Sequence, residues 1–132
     1  MTRINCIPVE ELTTRHAQAE YREIVRPFAL VRRAQQNGVS PYNLRARYKI
    51  PEDYTLGTGH VVFFYDKLQY LLNRYKQLQA ELTKRKFELN PVPEEALKEG
   101  IRPCWFGDYI PTKQAQEINR ARIAKRLSGD KT

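Results

Sequence analysis

The sequence contains only two cysteines and two histidines among its 132 residues. A secreted disulfide scaffold of this length would carry more cysteine, so a reducing compartment is expected. We therefore expect Cys6 and Cys104 to be free thiols that are at least partly buried. His16 and His60 form no zinc-binding spacing with these cysteines, so the sequence predicts no metal site.

Glycine-rich loops and long apolar runs are also missing. Gly57 and Gly59 flank Thr58 without the rest of any nucleotide-binding fingerprint, so no cofactor is expected. No apolar run approaches the roughly 20 residues that cross a bilayer. The first residues lack the apolar core of a signal peptide. We therefore expect a soluble, cytoplasmic protein that has no membrane partner.

Positive charge is the strongest feature of the composition. Lysine and arginine exceed aspartate and glutamate by eight, and hydrophobic residues make up 41% of the chain. This length and apolar content suit a single domain over residues 1–132 with one modest core, ending in a frayed tail at about 128–132. The excess charge must lie on the surface and favours a polyanionic partner. Nucleic acid and an anionic membrane are both polyanions, and because the membrane is weakly supported, nucleic acid is the expected partner.

The apolar periodicity predicts an all-α fold of three helices joined by irregular connections rich in proline and tyrosine. The first helix should run from about residue 10 or 14 to residue 36, where Asn37 and Gly38 are a stop signal. Pro27 lies inside this helix and should kink it or break one turn. The second helix should span 59–84, with the aromatic run from Phe63 to Tyr65 in the core.

The third helix should begin at Thr112, a good N-cap, and run to about residue 127. Before it, residues 90–111 should be mostly irregular, with a short turn of helix at 94–99. Aromatic and aliphatic side chains in this stretch should pack it back on the body of the protein: Trp105, Phe106, Tyr109 and Ile110.

A row of arginines lies opposite the apolar stripe of the first helix. At 3.6 residues per turn, its four members fall within about 40° of one another: Arg15, Arg22, Arg26 and Arg33. Such a row can be a solvated face, but aligned like charges repel each other, and a phosphate-binding face explains the row better. At the end of the third helix, Arg122 and Arg126 share a face that is either a solvated surface or a second phosphate contact.

Five segments, in order, resemble the endonuclease V type pyrimidine-dimer glycosylases of phages and bacteria. They are Met1-Thr2-Arg3-Ile4-Asn5, Ala19-Glu20-Tyr21-Arg22-Glu23, Gly59-His60-Val61 with Phe63-Phe64-Tyr65-Asp66-Lys67-Leu68, Gly107-Asp108-Tyr109-Ile110-Pro111, and Ala121-Arg122. The agreement in order and spacing covers nearly the whole chain. The family fold is a mostly α-helical domain with three helices, as the periodicity also predicts.

The resemblance implies a metal-independent DNA glycosylase with AP lyase activity that acts as a monomer on damaged double-stranded DNA. Met1 would be removed, and the α-amine of Thr2 would then be the nucleophile. Glu23 would be the catalytic carboxylate. The positions that match the family's DNA-contacting residues are Arg3, Arg22, Arg26, Arg122 and Arg126, and the expected contacts also include Arg15 and His16.

The sequence departs from the family at three places. Arg15 stands where the family has glutamine, residues 40–56 are a few residues longer, and the aromatic-rich tail that contributes to dimer recognition is missing after Leu127. One alternative is therefore a relative that acts on other damaged or abasic sites. A second is a non-catalytic basic DNA-binding module, and a third is an RNA- or partner-binding protein, which no RNA-binding motif supports.

Overall fold

Helices form most of the regular structure in the computed structural model, which describes residues 3–128. These residues contain six α-helices: α1 (Thr14–Glu23), α2 (Arg26–Gln36), α3 (Leu44–Arg47), α4 (Leu68–Lys84), α5 (Glu94–Lys98) and α6 (Lys113–Leu127). Short 3-10 helices lie at Val9–Glu11, Val62–Phe64 and Pro103–Trp105. Residues 3–128 include no β-strand, so the predicted all-α class is confirmed.

The predicted first helix is two helices, and the break lies where Pro27 predicted it. The side chain of Thr13 caps α1 by accepting the backbone N–H of His16. Pro27 occupies the first turn of α2, where a missing backbone N–H removes no helical hydrogen bond. The stop signal is also confirmed, since α2 ends at Gln36 and Gly38 adopts a φ of +85°.

The predicted start of the second helix is wrong. Residues 59–67 form turns and one 3-10 helix, and α4 begins at Leu68. Gly57 and Gly59 both have positive φ, which is incompatible with a regular helix at this point. An apolar spacing of three suits 3-10 turns as well as a helix, so the pattern could not separate them. Phe63, Phe64 and Tyr65 are nevertheless buried, as expected.

One core collects buried apolar side chains from the N-terminal segment, α2 and α4, and α1 packs against α4. The Tyr21 ring stacks on the Tyr75 ring with 4.9 Å between centroids, a distance typical of attractive aromatic pairs. The start of α6 is as predicted, with the Thr112 hydroxyl accepting the N–H of Ala115 at 3.0 Å. The short helix α5 is confirmed as well.

The 99–111 connection packs on the body mostly as expected. Trp105 is buried, and its indole N–H donates to Gln35 Oε1 at 3.1 Å, while Phe106 and Tyr109 are half-buried. The prediction is wrong for Ile110, which is 86% exposed. Tyr109 turns inward to donate its hydroxyl to Asp53, and the next side chain of an irregular, extended segment points the other way.

The two cysteines are free thiols, but only one is buried. Cys6 lies in the core, where burial raises the pKa of its thiol to about 12. The expected partial burial is wrong for Cys104, which is exposed because its neighbour Trp105 takes the inward position of the same 3-10 turn. In the described part of the chain, no helix has the length and apolar character needed to cross a membrane.

Candidate active site

A cleft of about 630 Å³ lies between the N-terminal segment, α1, the connection before α4, and the end of α6. Six of the residues predicted for the site line it: Arg3, Arg15, His16, Glu23, Arg122 and Arg126. Arg22 and Arg26 are exposed but do not line this cleft. The predicted nucleophile, Thr2, lies outside the described residues.

The wall that α1 contributes follows from helical spacing. His16, Ala19 and Glu23 are three and four residues apart, so they project from one side of the helix into the cleft. On α6, Arg122 and Arg126 are four residues apart and form the facing wall in the same way. The cleft therefore depends on how α1 and α6 are placed against each other.

The predicted arginine row is divided by the break between α1 and α2. All four arginines are exposed, as the pattern indicated: Arg15, Arg22, Arg26 and Arg33. However, Arg15 lines the cleft, whereas the other three do not. The alignment of the row to within about 40° requires one continuous helix, whereas α1 ends at Glu23 and α2 begins at Arg26.

Arg3, the first residue that the structure describes, is hydrogen-bonded to the predicted catalytic carboxylate of Glu23. The backbone N–H of Arg3 donates to Glu23 Oε1 at 3.0 Å. Both backbone groups of the next residue are bonded to side chains of the segment before α4. Ile4 N donates to His60 Nε2 at 2.8 Å, and the Tyr54 hydroxyl donates to Ile4 O at 2.9 Å. Sequence reasoning gave His60 and Tyr54 no role, although His60 stands inside one of the motifs that carry the resemblance.

Below the cleft, a buried ion pair joins α1 to α4. Glu20 and Arg74 are 1% and 4% exposed, and the guanidinium of Arg74 binds both carboxylate oxygens of Glu20. Burial alone would lower the pKa of Arg74, but the neighbouring Glu20 carboxylate raises it above its ordinary value. The guanidinium of Arg74 therefore remains charged inside the protein, and each member of the buried pair requires the other.

Two asparagines extend this pair to the N-terminal segment and to α6. Asn5 Nδ2 donates to Glu20 Oε1 at 2.7 Å, and Asn5 Oδ1 accepts from Asn119 Nδ2 at 2.7 Å. Asn119 Oδ1 in turn accepts the N–H of Cys6. Sequence reasoning missed this network, but one signal was present, since Arg74 occupies an apolar-stripe position of α4 between Leu71 and Leu78.

The network sets the geometry of the cleft. Glu20 is three residues before Glu23 on α1, and Asn119 is three residues before Arg122 on α6. Because both are bonded to Asn5, the two helices are held at one register relative to the N-terminal segment. Glu23 and Arg122 consequently line the same cleft as Arg3.

The electrostatics of the cleft are strongly positive. Within residues 3–128, none of its four arginines forms an ion pair with a carboxylate: Arg3, Arg15, Arg122 and Arg126. Burial and the nearby charge of Arg122 lower the pKa of Arg3, whose buried Nη1 has no hydrogen-bond partner among residues 3–128. Such a cluster has free capacity to bind an anion.

The same surroundings act on His16. Partial burial lowers the pKa of its imidazole, and the charges of Arg126, Arg15 and Arg122 lower it further. His16 is therefore neutral near pH 7 and adds a polar, uncharged group to the cleft, with its Nδ1 at 2.6 Å from Thr13 Oγ1. Among residues 3–128, no group of three or more histidine, cysteine, aspartate and glutamate side chains is arranged to hold a metal ion.

An all-α domain with an arginine-lined cleft has the charge distribution of a nucleic-acid-binding protein. A family model described as pyrimidine dimer DNA glycosylase matches residues 1–94, about seven-tenths of the chain. The protein belongs to this family of enzymes, which act on damaged DNA. The match includes Arg3, His16 and Glu23, whereas the α6 wall of the cleft lies beyond it.

Proposed function

We propose that this protein is a bifunctional DNA glycosylase and AP lyase that excises pyrimidine dimers, with the α-amine of Thr2 as nucleophile and Glu23 as catalytic carboxylate. It would act as a single-domain monomer on double-stranded DNA. The observation that carries the proposal is the bond between Arg3 N and Glu23 Oε1 at 3.0 Å within the basic cleft. One residue spans at most about 3.6 Å, so this bond at Arg3 supports Glu23 as the carboxylate that would act beside an amine on the preceding residue.

The α-amine suits this chemistry because its pKa is roughly 7.7–8.0, well below that of a lysine side chain. Much of the amine is therefore neutral near pH 7. It attacks C1′ of the damaged nucleotide, the new N–C1′ bond forms, and the glycosidic bond to the base breaks. The sugar ring then opens to an imine, with O4′ taking a proton.

Strand cleavage follows from the imine. The imine acidifies the C2′ proton, and a base removes it. A C2′=C3′ double bond forms as the C3′–O bond breaks, and the downstream strand leaves with a 5′ phosphate. Water then hydrolyses the imine and frees the amine. Each step proceeds without a metal, and the whole sequence consumes only water.

Glu23 stabilises the positive charge that develops on the sugar and helps to move protons in these steps. The arginines around it bind phosphates of the DNA, which position the enzyme without reading the sequence. Arg22 and Arg26, exposed beside the cleft, would contact phosphates further along the duplex. The lesion itself is selected through its weakened, kinked duplex and an extruded nucleotide.

Borohydride trapping tests this function directly. Protein whose N-terminus has been checked by mass is offered one duplex with a cyclobutane thymine dimer and another with an abasic site. We expect a covalent adduct on both duplexes that maps to Thr2. An adduct on the abasic duplex alone would contradict dimer specificity and indicate another lesion, and no adduct on either would leave a non-catalytic DNA-binding module.

A further inference from the structure

His60 is buried next to the cleft, and the mechanism above does not use it. Its side chain is 3% exposed and makes two hydrogen bonds to backbone groups. Nε2 accepts the N–H of Ile4 at 2.8 Å, and Nδ1 lies 2.7 Å from the carbonyl oxygen of Thr55. A backbone N–H can only donate and a carbonyl can only accept. The ring must therefore be the neutral tautomer that carries its proton on Nδ1.

The surroundings of His60 maintain this neutral state. Burial lowers the pKa of the imidazole, the bond to Thr55 O opposes this shift, and the charges of Arg3 and Arg122 lower the pKa further. The rings of Tyr54 and Phe64 meet the imidazole edge to face, with centroids at 5.4 Å and 6.0 Å. The ring is thus held in one orientation with its acceptor directed at Ile4.

Tyr54 binds the second polar backbone group of Ile4, its carbonyl oxygen. Its hydroxyl donates to Ile4 O at 2.9 Å, and Ile4 is fully buried, so both polar backbone groups of Ile4 are satisfied by side chains of the 54–60 segment. The residue before Ile4 is Arg3, whose N–H meets Glu23. The path of the chain at Arg3 and Ile4 is therefore held by these two side chains together with Glu23.

We infer that His60 and Tyr54 are positioning residues, which hold the Ile4 peptide so that the amine of Thr2 stays in line with Glu23 and the reacting sugar. This inference rests on the proposed function. Neither residue needs to contact the sugar for this role. Loss of the Nε2 acceptor leaves a buried N–H without a partner and releases the segment, and a shift of about 1 Å at a reacting group can reduce a rate about 10²-fold.

The test compares two substitutions of the same residue in the borohydride assay with an abasic duplex. His60→Gln keeps an acceptor at the position of Nε2, whereas His60→Leu keeps similar bulk without an acceptor. We expect His60→Leu to slow adduct formation at saturating duplex by about 10- to 100-fold. The duplex concentration that gives half the maximal rate should change much less, because three of the four cleft arginines lie on α1 and α6, outside the released segment: Arg15, Arg122 and Arg126. His60→Gln should restore most of the rate.

Two further measurements test the inference even if His60→Leu does not fold. Tyr54→Phe keeps the ring and removes only the bond to Ile4 O, and it should also lower the maximal rate of adduct formation. Nitrogen NMR of the wild-type imidazole should show the proton on Nδ1. A proton on Nε2, or an unchanged rate in Tyr54→Phe, would overturn the inference.

The wild-type protein separates failure of this inference from failure of the proposed function. If the wild-type protein forms an adduct at Thr2 and His60→Leu forms it at the same rate as His60→Gln, the positioning role alone is overturned. The absence of any wild-type adduct would overturn the proposed function, and the inference with it.

Discussion

Arg3 and Glu23 are twenty positions apart in the chain, and the backbone N–H of one donates to the carboxylate of the other at 3.0 Å. This bond joins the N-terminal segment to α1, the helix that carries the carboxylates lining the cleft. A main-chain donor, rather than a side chain, makes the contact. The position of Glu23 is therefore coupled to the path of the chain itself.

Glu23→Gln should nearly abolish base release while leaving the protein folded. Glutamine still offers an oxygen to Arg3 N–H, so the geometry is kept and only the charge and the proton-transfer capacity are lost. We expect a loss of about 10²- to 10⁴-fold in single-turnover excision of a thymine dimer. Glu95→Gln, an exposed acid on α5, is the matched control. Wild-type rates in the Glu23 variant would remove the assigned mechanism.

Arg122→Gln should weaken binding to damaged and undamaged duplexes alike. Arg122 lines the cleft and has no ion pair with any carboxylate in residues 3–128, so its charge is available to a DNA phosphate. Removing one phosphate contact should reduce the slope of log affinity against log salt by about one. Arg120→Gln on the same helix is the control, because Arg120 lies outside the cleft and is paired with Glu11. An unchanged salt slope in Arg122→Gln would exclude the phosphate contact.

Arg74→Met should strongly destabilise the protein. The substitution leaves Glu20 buried without its partner, and breaking a buried ion pair in this way costs about 3–5 kcal/mol. Urea unfolding of the variant measures the loss. Lys98→Met, which removes one partner of an exposed pair with Glu94, should cause a much smaller loss. Similar losses in the two variants would mean that the network around Glu20 contributes little to stability.

Gly59→Ala should destabilise the protein more than Gly57→Ala. Both glycines have a φ near +85°, so an alanine at either position pays for the left-handed backbone. A Cβ at Gly59 would also lie 2.8 Å from Pro51 Cδ, whereas at Gly57 nothing lies within 4 Å. The difference between the two free energies of unfolding isolates the steric conflict with Pro51. Equal losses would show that the Pro51 loop moves away without cost.

Local patterns were sufficient for much of the fold. The proline within the first helix, the Asn37-Gly38 stop and the Thr112 cap all act through neighbouring backbone groups, so they are readable along the chain. The start of α4 was not readable in this way. The apolar side chains before Leu68 are buried whether the backbone forms a helix or a series of 3-10 turns, and only the glycine conformations decide between them.

The sequence by itself determined the all-α class, the excess of positive charge, and the residues that the resemblance assigns to a site. Only the tertiary structure decided which of these residues meet. It gathered Arg3, Glu23 and Arg122 at one cleft and separated Arg22 and Arg26 from it. The physical reason is that the cleft depends on the relative placement of the N-terminal segment, α1 and α6, which is set by hydrogen bonds between residues far apart in the chain. Helical periodicity carries no information about such bonds.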